Sequence, residues 1–312
     1  MSRVVVTVAE HVDRPAACAW CGRALDRDAE RLPGRLRCRA CGAATTDPWP
    51  SDAELQHAYG AWYRPAGGRF AGVGDAVLRR MRAGLARRLD ALAPPGAVLD
   101  VGAGDGSLVA ALRARGRPAL GLERAPVRPG VRPGEVTALD EPFAAVVFWH
   151  SLEHLRVPGA ALDHAAGLLV DGGLIVVSMP NAASLQARAF GRRWFALDLP
   201  RHLVHLPAEA LIARLQACGL RIERVSHWRG GQVVFGWLHG LVGTLPGRPD
   251  LYDAIRRAPA RRVPMGRGAR AATLAAAVAL LPGAAALAGI EALLGRGGTV
   301  YVEARRYYHR GP

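Results

Sequence analysis

At 312 residues the chain is long enough for two ordinary domains, or for one large core carrying an appended module and an insertion, and the second division fits the pattern better. Half the residues are apolar and 21% are charged, a globular composition that excludes a largely disordered chain. The formal charge of +15 would raise nucleic acid or an anionic membrane as a partner, but all 41 basic residues are arginine. They are scattered as pairs such as Arg79-Arg80, Arg87-Arg88 and Arg192-Arg193 without a run of five or six, so most are read as solvated surface.

The apolar stretch Val4 to Ala9 is too short for a signal-peptide core and has only Arg3 before it, so the expected compartment is the cytoplasm, with membrane association left open. Cys18 and Cys21 form one CxxC and Cys38 and Cys41 a second, each followed by glycine, with sixteen residues between the pairs. In a reducing compartment this spacing argues for metal rather than disulfides. Two such knuckles complete a tetrahedral four-thiolate site, closed to substrate, so residues 15–46 are expected to form a zinc ribbon holding one structural Zn2+. Cys218, in a helical pattern far away, is expected to be a plain buried residue. Residues 47–74, with Tyr59, Trp62 and Tyr63, read as a linker and cap whose aromatic residues dock the ribbon or cover a cleft.

From Asp75 to Leu92 apolar residues recur at helical spacing, and Pro94-Pro95-Gly96 stops the helix. Ala97 to Val101 then reads as a strand ending in Gly102-Ala103-Gly104-Asp105-Gly106, with helical pattern resuming at Ser107. Such a loop lets the backbone approach a ligand and leaves amides free near the helix start. Pro118 to Leu122 reads as a second strand ending at Glu123, where an acidic side chain can bind ribose hydroxyls. A dinucleotide dehydrogenase would share both features, so the decision lies further along.

There the sequence resembles the class I S-adenosylmethionine-dependent methyltransferases, in the "LEH"-motif, type 23-like subgroup. The first motif is Leu99-Asp100-Val101-Gly102-Ala103-Gly104-Asp105-Gly106, and Phe148-Trp149-His150-Ser151-Leu152-Glu153-His154-Leu155 resembles the segment after the fourth strand. Asp171 to Val177 resembles the turn and fifth strand, Met179-Pro180-Asn181 the "PN" after it, and Trp194 through Leu206 the "W…L…PRHL.H" stretch. The resemblance implies an α/β fold: a Rossmann-like seven-stranded sheet, last strand antiparallel, with cofactor at the carboxyl ends of the strands. It implies that Gly102, Ala103 and Gly104 border the methionyl part of S-adenosyl-L-methionine with Asp100 at the strand end. Glu123 would hold the ribose, Trp149 and His150 would lie beside the cofactor, and Asp140 would contact adenine. It favours His154 and His202 as catalytic residues, acting as base or orienting substrate. The chain departs from the pattern where Ala144 follows Phe143 in place of aspartate, and where Pro126, Pro129-Gly130 and Pro133-Gly134 oppose the usual helix. His150 to His154 also matches the HxxEH pattern of inverted zinc peptidases, but it follows an apolar strand in a methyltransferase-like order and is set aside.

Arg221 to Trp228 and Thr299 to Arg305 read as the last two strands, so the core is expected over 75–228 and 296–312, with an apolar helical insertion over 229–295. Ala271 to Leu294 has Glu291 as its only charge and is long enough to cross a bilayer. Pro282-Gly283 is expected to divide it into two short helices, and a single crossing is excluded if the last strand returns to the sheet. Its uses are weighed in this order: a helical lid or homodimer surface, a peripheral membrane contact through 271–294, and something deeper.

The leading expectation is methyl transfer to oxygen or carbon of a small metabolite, with lipid, quinone-like and sugar-derived acceptors all open. One alternative is an RNA methyltransferase that uses the ribbon and arginines to hold RNA, though the post-strand sequence Phe148-Trp149-His150-Ser151 lacks the Asn/Asp-Pro-Pro-aromatic type. The other is a non-catalytic cofactor-binding scaffold.

Overall fold

The computed structural model describes residues 15–25, 29–60, 62–63, 68–70, 74–124, 128–228 and 231–306. The Val4 to Ala9 segment and Pro126 lie outside them. In chain order the elements are β1 (Glu30–Leu32), β2 (Arg35–Arg37), β3 (Ala44–Thr46), α1 (Asp52–Ala58), α2 (Gly74–Leu92), β4 (Val98–Val101) and α3 (Ser107–Arg113). There follow β5 (Ala119–Leu122), β6 (Val131–Arg132), β7 (Phe143–Trp149), α4 (Pro158–Gly167), β8 (Leu169–Pro180) and α5 (Leu185–Phe190). The remainder are β9 (Val204–His205), α6 (Ala208–Ala217), β10 (Leu220–Ser226), α7 (Gly231–Val242), α8 (Leu251–Ile255), α9 (Arg267–Leu293) and β11 (Thr299–Arg306).

Seven strands form one sheet in the order β10-β11-β8-β7-β4-β5-β6. The pairs β7–β4, β4–β5, β5–β6 and β7–β8 are parallel, whereas β11 runs antiparallel to both β8 and β10. The sheet is the expected Rossmann-like methyltransferase arrangement. All seven residues of β7 are buried, because helices cover both faces and an unbroken apolar run suits a strand with no solvent side. Val146 and Phe148 face a core shared with α4, α6 and the ribbon, while Ala145, Val147 and Trp149 face α2 and α3.

The ribbon is joined to this core by backbone. Its strand β3 pairs antiparallel with β9, making a four-stranded sheet β1-β2-β3-β9. The Thr46 N–H donates to the Leu203 carbonyl at 3.0 Å, and Thr46 Oγ1 donates to the His202 carbonyl at 2.7 Å. On the other side Trp20 presses its carbonyl against Gly159 of α4, so closely that a Cβ there would collide with it, and Arg214 of α6 donates to the same oxygen.

Between β10 and β11 the insertion folds as α7, α8 and α9. The expectation of two short helices at Pro282-Gly283 is corrected: α9 is one helix of 27 residues with Pro282 inside it. Proline removes one amide donor, yet the carbonyl it strands belongs to Val278, a residue 72% exposed, where water can take it up. Meanwhile the inner face still packs, Ala284 and Ala288 against Val233 and Trp237 of α7. Leu281, Ile290, Leu293 and Leu294 remain exposed on the outer side, and by length and composition α9 could cross a membrane. Among the described residues no other helix could.

Glu291 fastens the insertion to the sheet. Fully buried, its carboxylate accepts from Gln186 N and Nε2, both at 2.8 Å, from Trp237 Nε1 at 2.9 Å and from Gly298 N at 3.2 Å. Four donors offset the desolvation of the charge, and each left unmet costs about 1–3 kcal/mol. Glu291→Ala is expected to lower unfolding free energy by about 3 kcal/mol or more, read from the urea midpoint, and Glu291→Gln by clearly less.

Candidate active site

The carboxyl ends of β4, β5 and β7 open into one cleft. Gly102, which follows β4, has φ of 76°, and a Cβ there would collide with Ser151, so this turn admits only glycine. The N–H groups of Gly102 and Ala103 both donate to the Leu122 carbonyl at 2.8 Å, closing the loop against β5. The Gly104 N–H donates to Glu123 Oε2 at 2.8 Å, while the Arg124 N–H donates to Oε1 at 2.9 Å. Glu123 is thus clasped to the loop with its carboxylate partly exposed. Beneath it Asp100 is 4% exposed, and burial pushes its carboxyl up to about 6; the charge of Arg82 opposes the rise and those of Glu123 and Asp105 add to it. Arg82 also lies over the Trp149 ring, 4.9 Å from its centroid.

The structure brings Asp100, Gly102, Ala103, Gly104 and Glu123 together, with Trp149 and His150 at the end of the neighbouring β7. Asp140 is not brought there. It is exposed and precedes the amino end of β7, at the opposite edge of the sheet from Gly102, and Gly134-Glu135, just past β6, occupies the cleft end instead.

His150 has a left-handed backbone, φ 51°, a strained geometry for a residue with a side chain. Its N–H donates to the Ser178 carbonyl at 2.7 Å, and its Nε2 accepts from Gln232 Nε2 at 3.0 Å. The proton therefore belongs on Nδ1, which faces Glu153 Oε1 at 3.4 Å. Glu153 is 3% exposed and neither carboxylate oxygen has a hydrogen-bond partner among the described residues. Although burial pushes it up, His150 and the charges of His154 and His202 hold its carboxyl down, to about 2, so it is ionised.

His154 Nδ1 lies 2.9 Å from the Arg201 carbonyl and 2.8 Å from Tyr59 Oη. A carbonyl only accepts, so the proton sits on Nδ1 and Nε2 keeps its lone pair. Burial, then the charge of His202, lowers His154 to about 4, which leaves it neutral. The His202 ring is 4.6 Å away, and its Nδ1 donates to the Ala196 carbonyl at 2.8 Å. The ligand-capable atoms of Glu153, His154 and His202 lie within 4.8 Å of one another, a donor set that could also hold a divalent cation. Tyr59, one of the aromatic residues of the linker and cap, and Gln232 complete the cluster; nothing in its local pattern marks Gln232, which reaches it from a segment distant in sequence.

In the ribbon, Cys18 Sγ and Cys41 Sγ are 3.7 Å apart and Cys21 Sγ and Cys38 Sγ 3.8 Å. Four thiolates at about 2.3 Å around a tetrahedral ion stand about 3.8 Å from one another; these two spacings match that figure and all four Sγ atoms lie within 4.8 Å of one another, so the cluster fits zinc.

Residues 75–225 match the family described as a methyltransferase domain. That segment is similar to a methyltransferase domain and carries most of the Rossmann-like seven-stranded sheet. A ubiquinone biosynthesis O-methyltransferase of Xylella fastidiosa (strain 9a5c) is 31% identical over 157 residues, 42% of this chain. The match spans 63% of that relative, less than two thirds of its length. Among solved structures, the [4+2]-cyclase SpnF aligns with TM-score 0.48 at 20% identity, over 83% of this chain and 97% of its own. A SAM-dependent methyltransferase from Archaeoglobus fulgidus aligns with TM-score 0.43 at 16% identity, over 73% and 94%.

His205, 4% exposed on β9, is pushed well below the ordinary histidine value by burial first, then by the charges of His202 and Arg35. The unfolded chain takes up a proton near about 6.5 that the folded chain refuses, so stability present at neutral pH is lost as pH falls through that value. The urea midpoint is expected to drop between about pH 7 and about pH 5, and His205→Gln to flatten that slope. An unaltered slope in the variant would place the effect elsewhere.

Proposed function

We propose that the chain is an S-adenosyl-L-methionine-dependent methyltransferase acting on oxygen or carbon of a small metabolite, lipid, quinone-like or sugar-derived. The carrying observation is the glycine loop clasped to Glu123 across from Trp149 and His150, inside the segment that matches a methyltransferase domain. Gly102, Ala103 and Gly104 border the methionyl part and Glu123 holds the ribose hydroxyls. Glu135, which follows β6, is the acidic residue proposed to face adenine in place of Asp140. When bound, the donor supplies an electrophilic methyl on sulfur.

Alignment of acceptor and methyl then supplies much of the rate. A histidine at about 4 is a weak base at neutral pH, so His154 orients the acceptor through Nε2, and the ionised Glu153 stabilises whatever positive charge reaches the imidazoles. His202 shares that task. An oxygen acceptor is supported by the name of the Xylella relative. Four thiols poised for zinc fit a reducing compartment, and the cytoplasm is the proposed place of action.

Glu123→Gln is expected to weaken S-adenosylhomocysteine binding at least about tenfold by calorimetry, as a charged hydrogen-bond acceptor is lost. His202→Gln should instead slow methyl transfer from labelled donor to the small-molecule fraction of a cell extract and leave that affinity within about twofold. Label recovered in RNA, or no binding by a folded protein, would overturn the proposal.

Purified protein should contain about one zinc per chain. Because Thr46 of the ribbon holds the His202 carbonyl, chelation is expected to reduce transfer at least about tenfold while S-adenosylhomocysteine still binds. Equal loss of both would show that the ribbon supports the whole fold rather than the histidines.

A further inference from the structure

Beside the histidine cluster two buried arginines hold more donors than the protein uses. Arg256 is completely buried, and its Nη2 donates to the carbonyls of Trp62 at 2.9 Å and Tyr63 at 3.4 Å. Its Nε and Nη1 have no hydrogen-bond partner among the described residues. The guanidinium lies 5.3 Å from the Trp62 ring centroid and 5.0 Å from that of Tyr252. Arg201, 6% exposed, spends Nε and Nη2 on Asp198 at 3.1 and 2.5 Å, but its Nη1 is also unpartnered. Its guanidinium is 4.3 Å from the Tyr63 centroid and 5.3 Å from that of Trp62.

The aromatic rings occupy the faces of these cations and leave their edges, the part that recognises a planar or tetrahedral anion through paired N–H donors. On Arg201 the Asp198 carboxylate takes the Nε–Nη2 edge and leaves Nη1, whereas on Arg256 no carboxylate fills that role. Asp253 Oδ1 is 3.8 Å from Arg256 Nη1, outside hydrogen-bond reach; its carboxylate accepts instead from the backbone N–H of Arg262 through both oxygens and from that of Val263 through Oδ2. Arg69, 4.6 Å from the Tyr63 centroid, adds a third guanidinium. Burial, then Arg69 and Arg201, disfavours the charge on Arg256, against the pull of Tyr252 and Asp253.

The site adjoins the proposed chemistry. The Arg201 carbonyl is 2.9 Å from His154 Nδ1, and Tyr63 packs edge-on at 5.4 Å against Tyr59, whose hydroxyl meets the same nitrogen at 2.8 Å. We propose that the methyl acceptor is an acid whose carboxylate or phosphate is held by Arg201 and Arg256 beneath Trp62. This deepens the methyltransferase reading and rests on it for the word acceptor, not for the anion site itself.

The full chain is to be titrated with inorganic phosphate and, separately, with benzoate, following thermal shift and tryptophan fluorescence at ionic strength matched with sodium chloride. A saturable response to either anion is expected, and which one responds tells phosphate from carboxylate. Arg256→Gln should weaken it at least about tenfold, since a charge-assisted pair is lost. Arg201→Lys, which keeps the charge but loses the Nη1 donor that Asp198 leaves unused, should also weaken it. The exposed pair Arg192→Gln/Arg193→Gln should leave it unchanged. If Arg256→Gln does not fold, Arg201→Lys and loss of the fluorescence response in Trp62→Phe carry the same test. No saturable response, or equal weakening in the exposed-pair variant, overturns the proposal. S-adenosylhomocysteine binding, measured in parallel by calorimetry, separates the two ideas. Its presence without an anion response refutes the acid site alone, and an anion response without it refutes the methyltransferase reading alone.

Discussion

Ala44 and Thr45 pair with His205 and Val204, and on those two rungs hangs the link between the four thiols and the histidines. A ribbon of such short strands buries too little apolar surface to stand alone, so a metal is the expected staple. Here it also lends a strand to a segment of the core. That segment, from Trp194 to Leu206, has little regular structure of its own, and β3 gives it a fixed edge. Leu203 completes the chain of contacts, its N–H donating to the Glu153 carbonyl at 2.8 Å while its carbonyl receives Thr46.

Charge is distributed unevenly around the cleft. On the β4–β5 side lie Asp100, Asp105 and Glu123, a negative rim suited to hydroxyl donors and to a cationic sulfur centre. On the side of the cap lie Arg201, Arg256 and Arg69, stacked among Trp62, Tyr63 and Tyr252. Glu153 stands at the junction, ionised and buried, with His150 on one side and His154 on the other.

Much of this was legible from local pattern. The strand, glycine loop and helix from Val98 to Arg113 follow from an apolar run, a glycine cluster and helical spacing, all short-range signals. The doubled CxxC predicted the thiol cluster because four ligands around one ion leave few geometries. What stayed hidden depends on long-range pairing. Residues Thr46 and His205 are far apart in sequence, and no periodicity announces that their strands meet. Asp140 precedes a parallel strand and so falls at the amino ends of the strands, away from the glycine loop at their carboxyl ends. Pro282 does not divide α9, because a proline breaks a helix when its stranded carbonyl is trapped and here that carbonyl belongs to the exposed Val278. Arg201 and Arg256 resemble every other arginine in an arginine-rich chain until burial singles them out.

The place of β11 in the sheet bears on how the protein is made. It is the last described strand in the chain, yet it lies between β8 and β10. During synthesis the apolar strand β8, Leu169–Pro180, therefore emerges with one edge open and keeps it open until residues 299–306 leave the ribosome. An apolar edge of that length is a template for pairing with other chains. The 118 residues between the two strands thus set a waiting time for a growing chain, and the speed of translation across them governs how long the half-built sheet must be shielded.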